Sequence, residues 1–138
     1  MGTRWSSVLA TVVAVSGVLM IGGCASTTCS AVLFADAVVV HFDSSAPTAD
    51  LTTVQACIGG NCEQNTVDPT HADLRIPVAV GSGSVKVSVA GRSGAGQQLF
   101  QGSTTVTPVL NQPDGPDCQS VHVADVTVTS SGLYATGN

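Results

Sequence analysis

Apolar and polar positions alternate with a period of two along most of this chain. In "SVKVSVAG", Val85, Val87 and Val89 fall on one parity and Lys86 and Ser88 on the other, the pattern of a strand buried on one face. "AVVVHFD" sets Val38, Val40 and Phe42 against His41 and Asp43. "TVQACI" aligns Val54, Ala56 and Ile58, and "LRIPV" aligns Leu74, Ile76 and Val78. Pro77 has no N–H to give to a ladder, so its strand lies at a sheet edge or ends there. "QQLFQGSTTVTPV" predicts a further strand interrupted at Gly102, and "SVHVADVTVT" predicts the last long one. In that last strand Val121 and Val123 share one parity while Ala124, Val126 and Val128 share the other; a bulge near Val123 would reconcile them.

Between these segments stand turn formers. "GRSGAG" (Gly91 to Gly96) reads as a turn, and "NQPDGPD" (Asn111 to Asp117) as a loop with Asp114-Gly115 as a turn pair. "EQNT", after Cys62, is polar on both parities and predicts a short, exposed hairpin arm. The result is about seven strands with no helical period among them, hence an all-β domain. A single β-sandwich over residues 30–138 is expected, immunoglobulin-like or transthyretin-like, with a small β-barrel as the alternative. In many such sandwiches the first strand runs parallel to the last. Trp5 precedes the domain and no other Trp is present, so the buried Trp of antibody-type domains is missing.

The N-terminal segment has a different pattern. After Arg4 comes the apolar run "VLATVVAVSGVLMI", fourteen residues from Val8 to Ile21, in which Ser16 and Gly17 weaken any permanent span. That length suits the core of a secretory signal and falls short of the roughly 20 residues needed to span a bilayer. Gly22, Gly23 and Cys24 follow. Ile21-Gly22-Gly23-Cys24 resembles the lipobox of bacterial lipoprotein precursors: an aliphatic residue, two small ones, then cysteine, at the end of an apolar core. That family more often has Leu where Ile21 stands. The resemblance implies a signal peptide over residues 1–23, cut before Cys24, and a diacylglyceryl group on the Cys24 thiol. Residues 24–29 would then be a short tether, and the domain would sit lipid-anchored on the outer face of the cell membrane. An ordinary secreted protein cut near Ala25, or a single-helix anchor, is the alternative.

With Cys24 set aside, four of the five cysteines remain, an even number suited to two disulfides in an oxidising compartment. In "ACIGGNCE", Gly59-Gly60 can form the centre of a tight hairpin turn. Ile58 then faces Asn61 and Cys57 faces Cys62, within disulfide range. Cys29–Cys118 is left as the long bridge. Closing the short loop contributes roughly 2 kcal/mol and closing the long one roughly 4–5 kcal/mol. Four residues between Cys57 and Cys62 are not the Cys-x-x-Cys redox spacing. "VQACIGGNC" and "PDGPDC" also resemble stretches of small actinomycete envelope lipoproteins of uncharacterised function, and the Val-, Thr- and Gly-rich composition agrees with such a source.

Charge and side-chain chemistry narrow the function. The chain has 4 basic and 9 acidic residues; losing Arg4 leaves Arg75, Lys86 and Arg92, too few for a nucleic-acid patch. The remaining aromatics are Phe34, Phe42, Phe100 and Tyr134, of which two are expected in the core. His71 in "DPTHAD", between Asp68 and Asp73, reads as a solvated turn rather than a metal site. His41 with Asp43 and His122 with Asp125 could share a site. However, placing Cys29 level with Cys118 puts His122 beside Leu33 and His41 beside Ser130. Eight residues of offset is about 26 Å, too far for shared coordination. Both methionines, Met1 and Met20, leave with the signal, which removes thioether ligands for soft metals. No G-x-S-x-G, His-Glu-x-x-His or phosphate-binding loop is present.

The sequence therefore predicts a membrane-anchored, non-catalytic envelope lipoprotein with a structural or binding role. It predicts no catalytic residue, no metal ligand and no cofactor beyond the lipid on Cys24. Its partners would be the membrane and another envelope protein or wall component, not nucleic acid. A metal- or small-ligand-binding accessory lipoprotein is the alternative reading, and an envelope enzyme a third.

Overall fold

The computed structural model of the chain describes residues 28–29 and 34–136. Ile21, Gly22, Gly23 and Cys24 lie outside the described residues. Among the described residues there are nine strands: β1 (Ala37–Phe42), β2 (Leu51–Ile58), β3 (Asn61–Thr66), β4 (Asp73–Pro77) and β5 (Val85–Ser93), then β6 (Gln98–Val106), β7 (Val109–Asn111), β8 (Val121–Thr129) and β9 (Gly132–Ala135). They form two sheets that do not close into a barrel. One has the order β4-β1-β8-β7, with β9 also paired to β8; the other has the order β3-β2-β5-β6. The expected all-β sandwich is what the chain forms. As expected, β1 runs parallel to the last long strand, β8.

The alternating valines explain why the sheets face each other. Val38, Val40, Ile76, Ala124, Val126 and Val128 of one sheet meet Val54, Ala56, Val87 and Val89 of the other, all essentially inaccessible to water. Each such side chain contributes about 1.5–3 kcal/mol on burial, before the cost of ordering it. Phe42 and Phe100 bridge the sheets edge to face, 6.3 Å apart. The outer strands of the two sheets approach on both sides. Asn65 Nδ2 of β3 donates to the Arg75 carbonyl of β4 at 3.0 Å, and Gly102 of β6 lies under Leu133 of β9.

The Cys57–Cys62 hairpin forms as the sequence predicts. Cys57 stands opposite Cys62 and Ile58 opposite Asn61, and the bridged Cα atoms are 4.1 Å apart. Only Gly59 of the turn adopts a positive φ, +61°. The polar arm after Cys62 is β3, exposed along its whole length. Cys29–Cys118 is the second bridge, with Cα atoms 5.6 Å apart. Pro77 closes β4, which is itself a sheet edge.

Several sequence expectations are corrected. β8 pairs with β1 and β7 without a register shift, so there is no bulge near Val123. Val121 and Val123 are instead buried on the sheet's opposite face, level with the buried Ala37 and apart from the main core. A register shift occurs in β2 between Leu51 and Thr53, and it turns Leu51 into the core. Gly91 is not in a turn: β5 continues through Ser93, and Gly91 is buried opposite the Phe100 ring, which fills the space a side chain would need. β6 is unbroken at Gly102. β7 and β9 raise the strand count from seven to nine, and Asn111 belongs to β7 rather than to the loop.

Candidate functional site

Three adjacent strands of the first sheet bring Asp73, His41 and Asp125 together on its outer face. Asp73 on the edge strand β4 stands directly opposite His41 on β1. Asp125 on β8 lies two positions before Thr127, the parallel-register partner of His41. The imidazole lies between the two carboxylates, with Nδ1 at 2.7 Å from Asp73 Oδ1 and Nε2 at 2.9 Å from Asp125 Oδ1. Carboxylates only accept, so both ring nitrogens must donate, and His41 in this arrangement is the imidazolium. Its bonds are charge-assisted. Burial of the ring works against the positive charge, but the hydrogen bonds to Asp125 and Asp73 and the attraction of both carboxylates outweigh it. The His41 pKa is accordingly raised above its usual value.

This corrects the separation expected from the sequence. The Cys29–Cys118 bridge joins residues 89 apart, whereas β1 and β8 pair Ala37 with Val123, an offset of 86. His41 is level with Thr127 rather than Ser130 and reaches Asp125. A signal for the true register was present. Residues paired in a ladder share a face, and an offset of 89 would set Val38 against Thr127. The observed register pairs Val38 with Ala124, Val40 with Val126 and Phe42 with Val128, apolar with apolar.

His122 does not join this group. It lies on the opposite parity of β8 from Asp125, and its backbone N–H donates to Asp36 Oδ1 at 2.8 Å; its ring Nδ1 is 3.8 Å from that oxygen. Asp36 Oδ2 accepts from the N–H groups of Val80 and Gly81, each at 3.2 Å. These amide bonds, His122's foremost, outweigh desolvation and hold the Asp36 carboxyl below its ordinary pKa. Asp36 thus ties the start of β8 to the β4–β5 connection. A depression of about 760 Å³ opens beside it, towards Pro77 and the Cys57–Cys62 hairpin tip. Three backbone amides already occupy the Asp36 oxygens.

His71 is exposed and sits in a local turn. Its Nδ1 lies 3.0 Å from Asp68 Oδ2, while Thr70 donates to Asp68 Oδ1 from both its N–H and its hydroxyl. Asp73 turns away from it to His41. Asp43 does not join His41 either; it accepts from the Ser45 N–H and hydroxyl, which lower its pKa. Among the described residues, no group of three or more His, Cys, Asp or Glu side chains is placed to hold a metal ion.

The arrangement links three strands through one ring. With carboxylates on both nitrogens, His41 has no lone pair with which to activate a nucleophile. Compared with known protein families, curated proteins and solved structures, the chain matches none.

Proposed function

We propose that this chain is a lipid-anchored envelope protein whose β-sandwich is a non-catalytic structural or binding module on the outer face of the cell membrane. The observation that carries the reading is Ile21-Gly22-Gly23-Cys24 at the end of the Val8–Ile21 apolar run. Two acyl chains on Cys24 would hold the protein where one would be marginal. The pairing of the other four cysteines, Cys29 with Cys118 and Cys57 with Cys62, supports an oxidising compartment.

Fold and anchor together give the module an orientation. Five residues from Cys24 to Cys29 extend at most about 18 Å. Cys118 lies just before β8, at the same end of the sandwich as the β4 terminus. That end would face the membrane, and the Asp43, Asp50 and Asp68 loops would lie at the opposite end. The partner on this reading is a neighbouring envelope protein or a wall component.

The test is the full-length chain expressed in a bacterial host with its Cys24→Ser variant. The wild type should gain the mass of a diacylglyceryl group, lose residues 1–23 and enter the detergent phase, and the variant should do none of these. Identical mass and partitioning for the two proteins would overturn the proposal. Crosslinking in intact cells then identifies the neighbour.

A further inference from the structure

We infer that Asp73–His41–Asp125 is a proton-operated latch on the outer end of edge strand β4: the doubly protonated ring holds that end closed, and loss of one ring proton releases it. The inference stands on the described domain and does not depend on the lipid anchor.

The two sides of the latch are unequally supported. Asp125 is on β8, which is hydrogen-bonded to β1 on one side and to β7 and β9 on the other. Its carbonyl also accepts from the Thr136 N–H at 3.0 Å. Asp73 is the first residue of β4, a five-residue strand whose sheet partner is β1 alone. A neutral imidazole can donate from only one nitrogen, and the other then presents a lone pair to a carboxylate lone pair. The repulsion falls on whichever arm can move, which is the Asp73 arm. Further along β4, Asn65 Nδ2 holds the Arg75 carbonyl and Ile76 is fully buried, so the strand opens at Asp73 and Leu74 and stays pinned from Arg75 onward.

Release has a structural consequence. Asp73, Leu74 and Arg75 wall a depression of about 310 Å³ that also touches Phe42, Val67 and His71. Movement of the β4 start widens it and brings the apolar surface of Phe42, Val67 and Leu74 to solvent. The proton has a path out, because the His41 side chain is 31% exposed.

The titratable and charged groups on the surrounding elements are few. On β4 they are Asp73 and Arg75, the latter donating to the Ala35 carbonyl. Asp43 follows β1, Asp125 is on β8, and Tyr134 on β9 stands opposite Thr127. Asp68 and His71 pair in the connection before β4. Of the histidines among them, His41 alone holds a carboxylate on each ring nitrogen. The folded-state pKa of His41 is raised, so the latch is fully closed below the ordinary histidine value of 6.5. It opens as pH rises through the higher folded value.

The test is amide hydrogen exchange on the full-length protein at about pH 5 and about pH 9, corrected for intrinsic rates and referred to the central Val126 amide. Beside the latch the hydrogen-bonded pair of the β1–β4 ladder is Val40–Leu74, so protection of the Leu74 amide should fall several-fold at the higher pH in the wild type. It should be low and unchanged by pH in both His41→Gln and Asp73→Asn. Ring nitrogen NMR of the wild type supplies a readout that requires no variant: both His41 nitrogens should be protonated in the closed state and lose one proton in step with the fall in protection. Wild-type protection that does not respond to pH, or the same response in a folded variant, would overturn the latch.

Discussion

Gly102 and Leu133 meet where the outer strands of the two sheets converge: a Cβ at position 102 would sit 2.8 Å from Leu133 Cβ. The glycine in "FQGST" is therefore a packing requirement between β6 and β9, not a break in β6. Gly102→Ala should destabilise the domain by about 1–3 kcal/mol through overpacking. Leu133→Gly, which removes the Cβ that a side chain at position 102 would strike, should cost stability on its own, yet the double variant should be more stable than the sum of the two losses predicts. Urea unfolding of the four proteins measures the coupling; additive losses would refute the contact.

Asp36 gives the domain a stability that weakens in acid. Its side chain is 27% exposed, and amides from two separate segments bind its two oxygens. A folded-state pKa below the usual 3.8 means the contribution is complete above that value and disappears as pH falls through the depressed one. Asp36→Asn should lose about 1–3 kcal/mol near neutral pH. The wild-type and variant unfolding curves should converge as pH falls through the depressed Asp36 value. A gap that persists undiminished in acid would assign the loss to packing instead.

The two disulfides should differ in weight. Sequence separations of 89 and 5 give loop-closure contributions of roughly 4–5 and roughly 2 kcal/mol. Replacing Cys29 and Cys118 together by Ser should therefore lower the thermal midpoint more than replacing Cys57 and Cys62. Calorimetry of the two double variants orders them, and the reverse order would count against the chain-entropy account.

Burial separates Ile76 from Val109, although each lies on a peripheral strand. Ile76 is fully buried and Val109 is 51% exposed. Ile76→Ala should cost about 2–5 kcal/mol, and Val109→Ala should stay within about 0.5 kcal/mol of wild type. Equal losses in denaturant titrations would contradict the core boundary drawn here.

The sequence made the local pairings legible, and of the distant ones the Cys29–Cys118 bridge and the parallel course of β1 and β8. Cys57 and Cys62 find each other because Gly59-Gly60 turns the chain between them, and the strand faces follow from valine alternation. Register between distant strands was harder to read. Eight positions separate Cys29 from Ala37 but five separate Cys118 from Val123, so the bridge is a misleading ruler for β1 against β8. Matching Val38 and Val40 with Ala124 and Val126 would have corrected it and brought His41 to Asp125. Val121 and Val123 misled for another reason: a strand can bury different faces along its length, which alternation alone reads as a bulge. β7 and β9, at three and four residues, are too short to show a period.

β3 has a bearing on how this protein behaves at high concentration. Its free edge offers backbone donors and acceptors to any passing chain, the arrangement from which amyloid-like stacking starts. Yet "NCEQNT" is exposed throughout and carries the Glu63 carboxylate, whose charge would be stacked against its own copies at every rung of a growing fibril. The Cys57–Cys62 staple also prevents the strand from slipping to a stickier register. The least hydrophobic strand of the domain thus acts as its guard against self-association.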